Sequence, residues 1–233
     1  MLILVACEES QALTIELRRL GHKSFSCDIE PCSGGHPEWH IQQDVLPLIN
    51  GHCEFATMDG VRHTIAGRWD MLFAFPPCTY LSNAGACRLY SRKGQINQER
   101  YEKGLEAKAF FMRFYNADCS RIVIENPMPS TVYDLPKHTQ DIQPYQFDPY
   151  GEHPYTKKTR IWTVGEVDLL IPTTPDKKAI GSYVPAGTGR KDRTKYGYAK
   201  RGDDAKNRSK TFHGIAVAMA EQLAAAALAE KGE

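Results

Sequence analysis

The chain has 233 residues, with 29 Lys and Arg against 28 Asp and Glu and a formal net charge of +1. With 42% hydrophobic and 24% charged residues it has the composition of a folded globular protein, which excludes a chain too polar to bury a core. The length allows one large α/β domain or two small ones, and no apolar run reaches the about 18 residues that a membrane span requires.

The first apolar run, Leu2 to Ala6, meets Glu8 and Glu9 with no basic leader before it, so it reads as a buried strand and not as a signal peptide. Leu13, Leu17 and Leu20 follow at helical spacing, with Ser10 as the expected N-cap and Gly21 as the expected stop. Ser24 to Cys27 is a second strand, ending at Asp28. Residues 29–69 read as loop, carrying a second acidic punctuation at Asp44. Asp70 to Phe75 is the next strand, stopped by Pro76-Pro77, and a polar glycine-containing stretch runs to about residue 98. Ala107, Phe110, Phe111 and Phe114 mark a helix, Arg121 to Ile124 a strand ending in Glu125-Asn126-Pro127, and Lys158 to Val164 a further strand. Residues 172–210 turn to Pro, Gly, Thr and basic residues, and the chain closes on a helix with Ile215, Met219, Leu223 and Ala227 on one face. Short apolar strands alternating with helices, with polar groups at the strand ends, imply an α/β fold with a mostly parallel sheet that offers its carboxyl edge to a ligand.

Three features carry chemistry. Cys78 follows a strand and the stiff Pro76-Pro77 corner, which fixes the direction of its thiol as a nucleophile requires; alone, such a cysteine is as readily a small buried hydrophobe. Glu125 also leaves a buried strand, so its carboxyl is expected on the same sheet edge, where it can act as an acid. Lys158 and Arg160 alternate onto one strand face, a pair of cations for an anionic or carbonyl-bearing ligand, or the charges of a solvated edge strand. Cys27, Cys32, His36 and His40 have metal-ligating side chains, but the spacer is too short for a zinc finger and Cys27 fits inside a strand, so no metal is expected. Seven cysteines, an odd and scattered set, fit a reducing cytoplasmic setting; Cys53, Cys87 and Cys119 have no evident partners.

In this order and separation the motifs resemble those of the C5-cytosine DNA methyltransferases. Pro77-Cys78 with Ser82 and Gly85 is similar to the family's nucleophile motif, and Glu125-Asn126 resembles its Glu-Asn-Val. Lys158 and Arg160 resemble its Gln-x-Arg-x-Arg, and Gly214 to Val217 its closing Gly-Asn-x-Val. The departures are the first turn, Cys7-Glu8-Glu9-Ser10, which lacks the usual glycines, Pro127 for Val, Thr156 and Lys158 for Gln and Arg, and Ile215 for Asn. They resemble those of small phage-type members acting in a bacterial cytoplasm.

The resemblance implies the seven-stranded Rossmann-like methyltransferase fold with one antiparallel strand. It implies S-adenosylmethionine as cofactor, held by Cys7, Glu8, Asp28, Ile29, Asp44 and Pro76. It further implies catalysis by Cys78, Glu125 and Arg160: a thiolate adding to C6 of a flipped cytosine, an acid at N3, and a cation at O2. Ser82 and Lys158 are expected against DNA, with the stretch from Thr79 to Gln98 as a lid.

The small net charge hides a segregation. Between Lys177 and Lys210 there are eleven Lys or Arg against three Asp, a local charge of +8 that leaves −7 for the rest of the chain. With Tyr183, Tyr196 and Tyr198 among them, these bases, Lys191, Arg193 and Lys195 included, form a candidate phosphate-contacting flap, or else a solvated loop. Only about 50 residues separate Arg160 from Gly214, too few for a target-recognition domain with its own core. The expectation is one catalytic domain over 1–233, a monomer with 172–210 as a minimal DNA-contacting insertion and no membrane partner. Two alternatives stand: a related pyrimidine modification of RNA, a nucleotide or a modified cytosine, or with a variant cofactor; and a catalytically weak DNA-binding protein on the same scaffold.

Overall fold

The computed structural model describes residues 1–83, 88–91, 94–183 and 210–224. Seven strands form one sheet: β1 (Leu2–Ala6), β2 (Lys23–Asp28), β3 (His40–Gln42), β6 (Met71–Ala74), β7 (Arg121–Pro127), β8 (Gln140–Ile142) and β10 (Thr159–Gly165). Their spatial order is β3-β2-β1-β6-β7-β10-β8. The first five are parallel, and β10 runs antiparallel between β7 and β8. The protein is therefore α/β with a mostly parallel seven-stranded sheet, compatible with a Rossmann-like fold. Strands β1, β6 and β7 are nearly continuous apolar runs because both of their faces are covered.

On one face, helix α1 (Ala12–Arg19) and helix α3 (His213–Ala218), which continues into a π-helical turn at Met219–Ala224, pack on Ile3, Val5, Phe73, Val123 and Ile161. On the other, helix α2 (Gln98–Tyr115) presents Phe111 and Phe114 to Leu72, Ile122, Ile124 and Trp162. The alternation of β7 thus sends Val123 and Glu125 to the α1–α3 face and Ile124 and Asn126 to the α2 face. The chain turns back at β1 and β6: β2 and β3 extend the sheet to one side and β7 to the other. Such a reversal opens a crevice at the carboxyl ends of the two central strands.

The stretch read as loop over 29–69 contains more order than its composition suggests. His40–Gln42 joins the sheet, and β4 (Cys53–Ala56) pairs with β5 (Arg62–Ile65) in a hairpin outside it. Phe55 and Ile65 of the hairpin and Trp69 beyond it are buried, so tertiary contact and not local periodicity sustains these short strands. A two-residue parallel pair, β9 (Tyr155–Thr156) with β11 (Gly181–Ser182), anchors the start of the 172–210 segment. Most of that segment, with the domain boundary placed there, lies outside the described residues, as does Ala227. Among the described residues no helix is long and apolar enough to cross a membrane.

Gly214, at the start of α3, sits where a Cβ would run into the Phe147 carbonyl oxygen. Phe147 belongs to the turn Pro144–Phe147 that supports α3, and its carbonyl cannot move without shifting that turn. Gly214→Ala is expected to lower the unfolding free energy by about 1–3 kcal/mol; a urea denaturation midpoint equal to wild type would contradict this close approach.

Candidate functional site

The crevice is bordered first by the turn after β1. Cys7 and Gln11 both take left-handed backbone conformations, with φ of 59° and 58°, although neither is glycine. The expected glycine-rich turn is thus replaced by L-residues held in glycine-like geometry, which persists only where the surroundings over-determine it. Here they do. Cys7 N donates to the Cys27 carbonyl at 2.7 Å, and the buried Gln11 side chain donates to the His36 carbonyl at 2.9 Å and accepts from His36 N at 3.1 Å.

Glu8 takes the capping role expected of Ser10. Its carboxyl, 3% exposed, accepts from Leu13 N at 2.6 Å, Thr14 N at 3.3 Å and the Thr14 hydroxyl at 2.7 Å. These groups would otherwise be open amides at the α1 N-terminus. Burial pushes the Glu8 pKa up to about 7 against these three donors. The Glu8 carboxyl is accordingly committed to the α1 N-terminus.

The other side chains expected at this edge do converge. Asp28 ends β2 and accepts from Glu30 N at 3.0 Å; Asp44 follows β3 and accepts from Leu46 N at 3.0 Å. Both carboxylates act on Cys7: burial first, then Asp28, Cys27 and Asp44, push its thiol well up. Ile29, 73% exposed, stands beside Asp28 as an uncovered apolar plate. Glu9 adds a further acceptor. Its Oε2 is buried with no hydrogen-bond partner among the described residues, while its Oε1 lies 3.7 Å from Lys210 Nζ. This mouth is rich in carboxylates, and burial raises the pKa of Asp28 with Glu9 and Glu30 adding to the effect.

The second border is the exit of β6. Asn126, 1% exposed, donates from Nδ2 to the Pro76 carbonyl at 2.8 Å and so ties the Pro76-Pro77-Cys78 corner to the end of β7. Pro76 is buried beneath this bond, and Cys78 beyond it is half-buried. Glu125 acts on Cys78: burial and then the Glu125 carboxylate push the thiol up. Burial also raises Glu125, which the Lys157 ammonium and the Thr159 hydroxyl pull back down.

Lys157 is the group that sequence reasoning missed. Across the β7–β10 ladder Glu125 lies opposite Ile161, so residues of that parity on and before β10, Thr159 and Lys157, share its face. The Lys157 Nζ lies 4.9 Å from the Phe212 ring centroid and 5.9 Å from that of Tyr183. Burial lowers its pKa, while Glu125 and Cys78 favour the charged form. The alternation of the strand was legible; which face meets Glu125 was not, until the pairing with β7 was known.

Arg160 and Lys158, expected at the site, occupy the opposite parity. Arg160 lies across from Asp141 of β8, with its Nε 3.3 Å from the carboxylate, and Lys158 Nζ is 2.6 Å from the same carboxylate. The two cations hold the Asp141 pKa down and lie on the face away from Glu125. Ser82, expected against DNA, is 8% exposed; its N donates to the Cys78 carbonyl at 2.9 Å and its backbone bridges to Pro129. The start of the stretch expected as a lid is therefore held beside Cys78, with Asn83 N donating to the Met128 carbonyl and Arg100, over the Tyr80 ring, to the Thr79 carbonyl. Lys191, Arg193 and Lys195 lie outside the described residues, and so does Gly85.

Cys27, Cys32, His36 and His40 do not assemble. Cys27 is buried in β2, His36 stacks on Trp39, and His40 bonds to Ser26 and the Glu30 carbonyl. No group of metal-ligating side chains occurs among the described residues. Neither protein-family models nor curated proteins give a match to this chain.

The burial of Glu8 has a measurable signature. Its raised pKa makes the folded state the better proton binder, so its contribution to stability is full below the ordinary carboxylate pKa near 4.5 and is lost as pH rises through about 7. In urea denaturation the stability of wild type relative to Glu8→Gln is expected to fall between these two pH values and to level off above. A difference that stays constant with pH would contradict the assignment.

Proposed function

We propose that the protein is an S-adenosylmethionine-dependent methyltransferase acting on C5 of cytosine in DNA through a covalent Cys78 adduct. The observation that carries this reading is the Asn126–Pro76 bond, which ties the corner bearing Cys78 to the end of β7 next to Glu125, where the Glu125 charge acts on the thiol. The sheet order, with its one antiparallel strand next to the edge, supports the methyltransferase variant of the fold.

The residues at the neighbouring mouth fit the cofactor. Asp28 and Asp44 suit ribose hydroxyls and ring donors, and Ile29 offers an apolar face to an aromatic ring. The buried Glu9 oxygen, which has no donor among the described residues, suits an ammonium, and the acidic character of the mouth suits a ligand carrying two positive centres. When bound, the cofactor supplies an electrophilic methyl group.

The chain's own residues supply the rest. C5 of cytosine is a weak nucleophile, and addition of the Cys78 thiolate at C6 makes C5 enamine-like. Glu125, whose burial favours the protonated form, gives its proton to N3 as the adduct forms and takes it back when the adduct collapses. After methylation, loss of the C5 proton to a base expels Cys78. Asn126 keeps Cys78 aimed by fixing Pro76, so the thiol needs no large rearrangement to reach a base flipped from the duplex. Arg160, engaged by Asp141, has no step in this scheme.

Incubation with DNA and S-adenosylmethionine, followed by digestion to nucleosides and mass spectrometry, is expected to yield 5-methylcytosine; none across DNA of varied sequence would defeat the reading. DNA containing 5-fluorocytosine is expected to trap wild type covalently and to leave Cys78→Ser free. Neutralising Lys191, Arg193 and Lys195 together is expected to reduce the slope of DNA affinity against salt concentration; an unchanged slope would assign the basic segment to solvent.

A further inference from the structure

We propose that Arg100 is a positioning residue for Cys78: from the first turn of α2 its guanidinium grips the chain just after the thiol, by a bond to the Thr79 carbonyl and a seat over the Tyr80 ring. The proposal rests on the reading of Cys78 as a nucleophile and deepens it, because Asn126 fixes the chain before Cys78 and Arg100 fixes it after.

The argument begins with the backbone. The direction of a side chain follows from the peptide planes on either side of its Cα. Before Cys78 the chain is stiffened by two prolines and held at the Pro76 carbonyl by Asn126. After Cys78 there is no proline and Thr79 is exposed, so packing does not fix the chain there. Two hydrogen bonds do. Ser82 N donates to the Cys78 carbonyl at 2.9 Å, which closes a turn within the segment itself. Arg100 Nη2 donates to the Thr79 carbonyl at 3.1 Å, and no other described residue reaches that carbonyl. The guanidinium carbon lies 5.0 Å from the Tyr80 ring centroid, so one planar group engages two consecutive residues.

The helix that carries Arg100 is itself fixed. Asn97 caps it, and the Asn97 Oδ1 accepts from Arg100 N at 3.1 Å, so the residue bearing the guanidinium is also held at its backbone. One turn further on, a Cβ at Gly104 would run into the Tyr133 ring, and Tyr101 stacks on that ring at 6.0 Å. Tyr133 is buried and ends the turn Thr131–Tyr133. The residues just before this turn join the Cys78 segment: Asn83 N donates to the Met128 carbonyl and Ser130 N to the Leu81 carbonyl. The exit of β7 thus holds Cys78 from one side through Asn126, and from the other through Tyr133, α2 and Arg100. A thiol held from both sides meets C6 of a flipped base without a search. Misplacement by about 1 Å in such a geometry costs up to about 100-fold in rate.

The experiment measures how fast DNA containing 5-fluorocytosine is trapped covalently at saturating DNA and S-adenosylmethionine, beside DNA affinity and its salt dependence. Arg100→Ala is expected to slow trapping about tenfold and to leave affinity unchanged. Arg100→Lys, which keeps a donor and loses the planar fork, is expected to recover part of the rate. Tyr80→Leu is expected to slow trapping as well, and Arg100→Ala added to it to cost less than in wild type. A wild-type trapping rate in Arg100→Ala overturns the proposal. So does a loss confined to affinity and salt slope, which would make Arg100 a phosphate contact. Should Arg100→Ala fail to fold, Tyr80→Leu decides on the same readouts. Failure of the underlying reading is distinct: wild type itself then does not trap, and the proposal falls with it.

Discussion

A single buried hydrogen bond, from Asn126 Nδ2 to the Pro76 carbonyl at 2.8 Å, joins the exits of β6 and β7, and the arrangement of the site depends on it. The two strands are parallel neighbours, so their carboxyl ends emerge together, but a strand end alone does not fix the direction of the chain beyond it. The prolines stiffen the corner, and Asn126 sets where that stiff corner points. Asn126 faces α2 while Glu125 faces α3, so adjacent residues do complementary work: one anchors the loop that carries Cys78, and the charge of the other acts on the thiol. This gives a physical reason for the Glu-Asn dipeptide at the end of a buried strand. Pro127 after it registers with Thr159, whose hydroxyl reaches Glu125.

The first turn solves a different problem with the same economy. A glycine-rich turn leaves helix amides open to a ligand and lets the backbone approach closely. Here Glu8 fills the α1 N-terminus from inside the protein, and Cys7 and Gln11 adopt the left-handed geometry that glycines would take freely. What remains open at this mouth is carboxylate and apolar surface, at Glu9, Asp28, Asp44 and Ile29. The α1 amides that a glycine-rich turn would leave open are thus already taken, and carboxylates face the mouth in their place.

The sequence carried the strands that are buried on both faces, because continuous apolar runs such as those of β1, β6 and β7 have few other uses. It carried the stop of α1 as well, where Gly21 takes a φ of 82°. It did not carry β3 or the β4–β5 hairpin, whose short segments lack a period and are stabilised by Phe55, Ile65 and Trp69 against the core. Ser10 read as the cap because it is a capping residue just before the helix; Glu8 won because its longer side chain, tucked beneath the turn, reaches both Leu13 and Thr14.

By itself the sequence determined which residue types stand at the ends of which strands: a cysteine after two prolines, a carboxylate near the end of β7, and an aspartate ending β2. Strand endings are local, and they follow from hydropathy and from the conformational limits of proline. Tertiary structure alone decided which cation shares the face of Glu125. Lys157, Lys158 and Arg160 are equivalent in sequence, and alternation sorts them into two faces without saying what each face meets. The insertion of β10 between β7 and β8 settles it, bringing Asp141 to Lys158 and Arg160 and leaving Lys157 on the face of Glu125. A charge inside a protein takes its role from its nearest opposite charge, and that neighbour is fixed by strand register.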